Sequence, residues 1–388
     1  MMPAARCQAA IEILDQIIAG APAEKALTGW ARRSRYAGSG DRAAVRDHVF
    51  EAVRRMRSDA ALGGAMTGRG LILGALRRTG ADPDAVFSGV AYAPDPLSEA
   101  EREAGGIATQ LPEALDIPDW LWPAFSDSLG GAAESVATAL QSRAPVHLRV
   151  NLGKSTPAEA VAALAQDGVI CVPHIACETA LEVTQGSRRI RQSDAFHDGL
   201  VELQDAASQA VVQALPLKDG MWVLDYCAGG GGKALAMAAR AQIALYVHDI
   251  EPGRMIDLPD RAARAGVTAT PLATQDVAAS GPFDLVLCDA PCSGSGAWRR
   301  APEGKWRLTS AQLQEFVRLQ AEILQMASGL VAPGGTLAYA TCSVLNVENS
   351  EQIAEFLRKN PGWVATKDQA WDVQGGTDGF FTAQLVRE

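Results

Sequence analysis

Two short segments in the last third of the chain each set a cysteine just after a strand-like run. Asp289-Ala-Pro-Cys292-Ser-Gly-Ser-Gly follows FDLVLC, and Tyr339-Ala-Thr-Cys342-Ser343 closes GTLAYATC, with 50 residues between the two cysteines. A single cysteine is most often a small buried hydrophobe, and Cys227 and Cys288 fit that description. Cys292 and Cys342 instead sit in stretches rich in Gly, Ser and Pro, which argues exposure. If the two preceding strands belong to one parallel sheet, both thiols reach the same carboxyl edge beside Asp289. Two thiols and an acid at one sheet edge suit covalent catalysis.

A second segment suits a ligand rather than a reaction. Asp225-Tyr-Cys227-Ala228-Gly229-Gly230-Gly231-Gly232-Lys233 follows an apolar strand and opens a helix. The glycines let the backbone approach a ligand and take positive φ. Asp249, 24 residues after Asp225, ends the next strand, where an acid hydrogen-bonds ribose hydroxyls. The dinucleotide pattern GxGxxG overlays only in part. Lys233 is followed by Ala234, so the hydroxyl of a triphosphate-binding loop is missing. A nucleoside without a triphosphate fits better, and S-adenosylmethionine is one such ligand. Asp276, after TPLATQ, is placed for its adenine side.

The elements that must position these residues can be read outward from them. From about residue 200, MWVLDYCAG, ALYVHDIE, FDLVLCDAP and GTLAYATC are strands and KALAMAARA a helix. Alternating strands and helices predict a doubly wound, Rossmann-like parallel sheet with ligands at the carboxyl ends of its strands. Before it, VHLRVNL, a helix starting at Thr156-Pro157, VICVPHI and ALEVTQG make a small α+β unit. Cys171, His174 and Cys177 cluster there but lack a fourth ligand and metal-site spacing, so no metal is expected. Residues 1 to about 130 read as helical. Ile11, Ile13, Leu14, Ile17 and Ile18 share one face, as do Val45, Val49, Phe50 and Val53, with Asp41 as an N-cap and Gly80 as a C-cap. The expected domains are therefore 1–130, 131–205 and 206–388.

With 388 residues, the chain is too long for one ordinary domain. Its 48% hydrophobic content excludes a disordered chain. It has no uninterrupted run of eighteen apolar residues and no basic-then-apolar leader at its start, so no membrane span and a cytoplasmic location are expected. Seven cysteines, an odd and sparse set, argue against a disulfide framework. A net charge of −10 speaks against nucleic acid. Yet residues 1–58 hold ten Arg or Lys against six Asp or Glu, which is either a solvated helix face or an RNA-facing surface. Directly after Cys292, Trp298-Arg299-Arg300-Ala-Pro-Glu-Gly-Lys305-Trp306-Arg307 interleaves two indoles with four cations. That pattern predicts phosphate contact and base stacking.

VLDYCAGGGGK, DAPCSGSGAWRRAPEGKWR and LAYATCSVLNVENSEQ resemble three motifs of the RNA cytosine-C5 methyltransferases. The chain is most similar to the bacterial small-subunit ribosomal RNA methyltransferases of the Sun/Fmu type. LRVN (148–151) and VELQDAASQ (201–209) extend the likeness, which covers about residues 140–388. More weakly, the helical start is similar to the domain of those enzymes that resembles the NusB antitermination factor. The resemblance implies a class I methyltransferase domain (206–388), an RRM-like RNA-binding subdomain (131–205) and a NusB-like RNA-binding domain (1–130). It implies S-adenosylmethionine as cofactor, held by Cys227, Ala228, Gly229, Gly230, Gly231, Gly232, Lys233, Asp249, Asp276 and Asp289. The implied substrate is a cytosine of 16S ribosomal RNA.

In the catalysis so implied, Cys342 adds to C6 of the base, Asp289 binds the N3/N4 edge, and Cys292 serves the later release. The residues alone do not choose between the cysteines, since DNA cytosine methyltransferases attack with the Pro-Cys thiol. Lys233 or a helix N-terminus is expected to depress the attacking thiol. Glu348 and Asn349 are expected to cap a helix or order the loop, without a catalytic role. One departure stands out: the family's usual Cys-Ala-Ala-Pro-Gly-Gly-Lys has glycines at positions 229 and 230. The missing proline leaves a looser loop whose ordering costs entropy, though the turn itself is preserved.

Two other readings use the same residues. A methyltransferase for protein or small molecules shares the cofactor half but leaves the paired cysteines unexplained. A non-catalytic RNA-binding or assembly factor would account for the altered glycine loop, but not for Lys233, Asp249, Asp289, Cys292 and Cys342 occurring together. Nothing resembles the hydride-transfer site of a nicotinamide dehydrogenase.

Overall fold

A computed structural model describes residues 1–387. The chain forms two compact units. The first comprises Met1–Arg143 together with Trp298–Leu308, and the second comprises Ala144–Ala297 and the chain from Thr309 onward.

The first unit is helical. Its main helices are Pro3–Ile18, Ala23–Arg33, Ser39–Arg54, Met56–Gly63 and Gly68–Thr79. Ile13, Leu14, Val45, Val49, Val53, Leu71 and Leu73 supply the core. Gly74 is required by close packing: a Cβ there would lie 1.8 Å from the Asp59 carbonyl oxygen. Gly80 closes its helix in the left-handed region, as expected. Asp41 is not the N-cap. Gly38 holds that position, and the Asp41 carboxylate, three residues on, accepts the Gly38 N–H at 3.3 Å. The carboxylate also pairs with the Met1 ammonium and Arg6.

The Trp298–Arg307 segment is a correction to the sequence reading. Trp298 and Lys305 are each 1% exposed and Arg299 5%. Within the helical unit, Trp306 Nε1 donates to the Val53 carbonyl at 2.7 Å and Arg54 Nε to the Arg299 carbonyl at 2.9 Å. The Glu303 carboxylate accepts the Ala23 N–H at 2.8 Å. Of the four cations, only Arg300 and Arg307 face solvent. The physical reason is apolar area. Burying the large indole surfaces is favourable; the Trp306 N–H is satisfied and Lys305 Nζ lies 4.6 Å over the Trp306 ring, whereas Trp298 Nε1 has no hydrogen-bond partner. Desolvation holds the Lys305 ammonium down to about 8. The cations of residues 1–58 divide in the same way. Arg6, Arg46, Arg54, Arg55 and Arg57 are committed to protein partners, whereas Lys25, Arg32, Arg33 and Arg35 are exposed.

The second unit holds two sheets. Strands β1 (Val146–Val150), β2 (Ile170–Pro173), β3 (Ala180–Gln185) and β4 (Val201–Leu203) pair antiparallel in the order β2-β3-β1-β4. The helix Pro157–Gln166 starts at a Thr156/Glu159 capping box. Leu148, Val150, Leu164, Leu181 and Ile190 form the core of this subdomain.

The larger sheet contains β5 (Trp222–Asp225), β6 (Ala244–Val247), β7 (Thr270–Pro271), β8 (Phe283–Asp289), β9 (Val331–Thr341), β10 (Trp363–Trp371) and β11 (Phe380–Arg387). Its order is β10-β11-β9-β8-β5-β6-β7. Five strands run parallel, as expected. The sheet is nevertheless mixed, because β11 enters antiparallel to β9 and β10 antiparallel to β11. Chain order reverses between β5 and β8, the place where such sheets bind ligands beyond their carboxyl ends. This is the architecture of a class I methyltransferase beside a ferredoxin-like subdomain. No helix among the described residues is long and apolar enough to cross a membrane.

Candidate active site

β5 delivers the glycine loop. Its apolar residues Val223 and Leu224 are fully buried. Gly229 and Gly231 then take φ of +49° and +78°, the left-handed region, which a side chain would disfavour. The loop is not loose despite its missing proline. The Gly229 N–H donates to Asp249 Oδ2 at 2.9 Å, Gly231 N–H to the Ala228 carbonyl at 2.8 Å, and Arg261 to the Gly230 carbonyl. Asp249 Oδ1 accepts the Glu251 N–H at 2.9 Å, and Arg254 lies 3.4 Å from Oδ2.

Two residues of the LRVN and VELQDAASQ stretches brace this loop from the small subdomain. Arg149, in β1, donates to the Gly232 carbonyl and to Gln204 Oε1. Glu202, in β4, holds Arg261 at 3.2 Å and Arg264 at 2.6 Å. In sequence these stretches carry only the family likeness, with no task for either residue. Their signal was charge on strands that otherwise carry core residues.

Asp225, at the end of β5, was also missed. It is 1% exposed, and its Oδ1 has no hydrogen-bond partner. Burial, then the nearby Asp289 charge, push its carboxyl up to about 7. An unmatched buried oxygen, the Asp249 carboxylate and a positive-φ glycine loop together fit a cationic nucleoside such as S-adenosylmethionine. Asp276 is exposed at the start of the short helix Val277–Ser280. Among the described residues, no hydrogen bond ties it to the Asp249 cluster. Cys227 and Cys288 carry thiols pushed up chiefly by burial, unsuited to nucleophilic use.

The chemical edge lies on adjacent parallel strands. Asp289 in β8 is the register partner of Ala340 in β9. The loops that follow bring Cys292 Sγ to 3.4 Å from Cys342 Sγ. The hydrogen bond to Cys342, then burial, hold the Cys292 thiol well above its usual range. Cys292 accordingly stays protonated at neutral pH. Lys233 Nζ is 2.7 Å from Asp289 Oδ2 and over the Phe380 ring. Its charge is therefore spent on the acid rather than on a sulfur. All seven cysteines are free.

Cys171, His174 and Cys177 do not converge. Cys171 belongs to the small core, and Cys177 hydrogen-bonds Gln213 at 3.0 Å. His174 instead lies near His147 and Glu182, their ligand atoms within 4.8 Å of one another. Its ring nitrogens are engaged by the Ala176 N–H and the Gly375 backbone.

A family model described as "16S rRNA methyltransferase RsmB/F" matches residues 212–386, and one for the RsmF/B-like ferredoxin-like domain matches residues 117–188. The chain is 34% identical over 287 residues to ribosomal RNA small subunit methyltransferase B of Klebsiella pneumoniae. The chain belongs to the RsmB/F family. The Klebsiella match covers 70% of this chain and 66% of the relative, just under two thirds of its length. The Vibrio cholerae enzyme of the same name is 34% identical over 250 residues, covering 63% and 57%.

Among solved structures, PH0851 superposes with a TM-score of 0.75 at 25% identity, covering 100% of this chain and 99% of its own. NSun6 from Pyrococcus horikoshii, solved with SFG, has a TM-score of 0.61 at 17% identity over 70% and 98% of the two chains, a likeness of fold. The motif segments that suggested the Sun type thus lie inside the matched RsmB/F region.

Proposed function

We propose that this RsmB/F chain methylates C5 of a cytosine in 16S ribosomal RNA. The observation that carries the reading is the sulfur pair Cys292 and Cys342, 3.4 Å apart at the carboxyl edge of β8 and β9. The unsubstituted C5 of cytosine is a poor nucleophile. Cys342 adds to C6, forming an S–C6 bond and moving the ring electrons toward C5. Asp289, steadied by Lys233, hydrogen-bonds the N3/N4 edge and stabilises the adduct as N3 gains a proton. Bound S-adenosylmethionine supplies the electrophilic methyl group. Once C5 carries that methyl, its proton passes to water, the C–H electrons reform the C5–C6 double bond, the Cys342 sulfur leaves with the C6–S electrons as a thiolate, and N3 gives up the proton it gained. Cys292, 3.4 Å away and protonated, serves this release by donating to the departing Cys342 sulfur.

Asp249 receives the ribose hydroxyls of the cofactor. Residues 227–233 form its cradle, Asp289 borders the methyl end and Asp276 serves the adenine side. The base must leave its stack to reach the sulfurs. The helical unit and the ferredoxin-like subdomain are the RNA-binding parts of the chain in this reading. Residence in the cytoplasm goes with a ribosomal substrate.

Bisulfite sequencing of ribosomal RNA from cells with and without the gene tests the reading. Loss of protection at one 16S cytosine is expected, and an unchanged map would refute it. Calorimetry with S-adenosylmethionine addresses the assembly-factor alternative, which would be favoured by no binding at millimolar ligand.

A further inference from the structure

We propose that Glu348 is a positioning residue that clamps the two cysteine loops together. Its side chain is fully buried, at 0% exposure, and four donors converge on its carboxylate. Ser293, the residue after Cys292, gives its N–H at 2.8 Å and also its hydroxyl. Ser343, the residue after Cys342, gives its hydroxyl, and Gln320 Nε2 gives the fourth bond at 3.1 Å. The same Gln320 amide holds the Pro291 carbonyl at 2.9 Å, on the other side of Cys292. Asn349 repeats the device around Cys342: it accepts the Thr341 hydroxyl and holds the Ser343 carbonyl at 2.9 Å.

The physical need is strong on both sides. A buried carboxylate without partners is costly, so each donor is held firmly. The Cys292 loop, Ser293-Gly294-Ser295-Gly296, carries no side chain larger than a serine, so hydrogen bonds rather than apolar packing hold it. Glu348 joins two loops 50 residues apart in sequence, together with the direct bonds from the Gly296 N–H to the Cys342 carbonyl at 3.0 Å and from the Val344 N–H to Ser295 Oγ at 2.9 Å, and through them helps set the approach of the sulfurs. Glu348 acts through its neighbours and not on the base. The catalytic consequence rests on the function proposed above, whereas the clamp itself does not.

The test is mild oxidation of the full-length protein by diamide. The two thiols lose two protons and two electrons, an S–S bond forms, and the N=N bond of diamide is reduced to a hydrazine. Wild-type protein should close the Cys292–Cys342 bond readily, as read by intact mass and peptide mapping. Glu348→Gln should close it roughly tenfold more slowly or worse, and kcat should fall by a similar factor with unchanged KM for S-adenosylmethionine. Ser293→Ala, which removes one hydroxyl and leaves the acid in place, should show a smaller slowing and covers the case in which the Gln variant fails to fold. Cross-linking at the wild-type rate in both variants would overturn the proposal. If wild-type protein methylates no RNA while cross-linking still depends on Glu348, the function falls and the clamp stands.

Discussion

The Cys292 sulfur stands 3.4 Å from the Cys342 sulfur, close enough for one thiol to donate to the other. Two thiolates at that distance would repel, so the pair divides into a proton holder and an acceptor. Cys342→Ala should abolish methyl transfer by at least about 1000-fold. Cys292→Ala should leave the first step intact and accumulate a covalent RNA–protein adduct on denaturing gels. Methylation by the Cys342 variant, or a Cys292 variant that traps nothing, would reverse or remove these roles.

Asp249, the proposed ribose-binding acid, already accepts the Gly229 N–H at Oδ2 at 2.9 Å. Asp249→Ala should release the loop as well as the ribose. Hydrogen bonds to a charged group are worth about 1.5–3 kcal/mol each, so S-adenosylmethionine should bind roughly 10- to 100-fold more weakly by calorimetry. An affinity within a factor of two of wild type would place the ribose elsewhere.

Asp225 gives the protein a pH signature. Its carboxyl is raised to about 7 by burial and by Asp289, whereas in an unfolded chain it titrates near about 4. Between those values the folded state binds a proton that the unfolded chain has released. Stability therefore falls as pH rises from about 4 to about 7, by as much as about 4 kcal/mol. Denaturant melts of Asp225→Asn should lose this slope. An identical pH profile in the variant would count against it.

Lys305 gives the opposite sign. Desolvation lowers its ammonium to about 8 in the folded protein, against about 10.4 unfolded. Between about 8 and about 10.4 the unfolded chain binds the extra proton, so stability rises with pH. Lys305→Met should flatten that rise.

Trp298, 1% exposed, is a packing residue. Trp298→Ala should cost about 3–5 kcal/mol, seen as a lower unfolding midpoint. Charge reversal at the exposed Arg300 and Arg307 should weaken RNA binding and flatten its salt dependence without moving that midpoint. The reverse pattern would restore the segment as a stacking platform.

Much of this protein is legible in one dimension. The glycine run, the acid ending the next strand and the two cysteines each follow an apolar strand. Since parallel strands bind ligands at one edge, their convergence at β5, β6, β8 and β9 follows from local pattern. The antiparallel entry of β11 was not legible, because FFTAQLVR looks the same in either direction. The Trp298–Arg307 segment was misread because interleaved indoles and cations suit both an RNA surface and a buried plug. Only the neighbouring helices, which offered apolar cover and backbone acceptors, decided between them. Glu348 looked like a loop residue for a related reason: its four donor groups come from three residues far apart in the sequence, Ser293, Gln320 and Ser343. Types and spacings along the chain determined the chemistry available to this protein. Tertiary structure alone decided which groups share a proton, which charges are spent on each other and which acid holds the sulfurs together, because those depend on distances between segments that sequence leaves far apart.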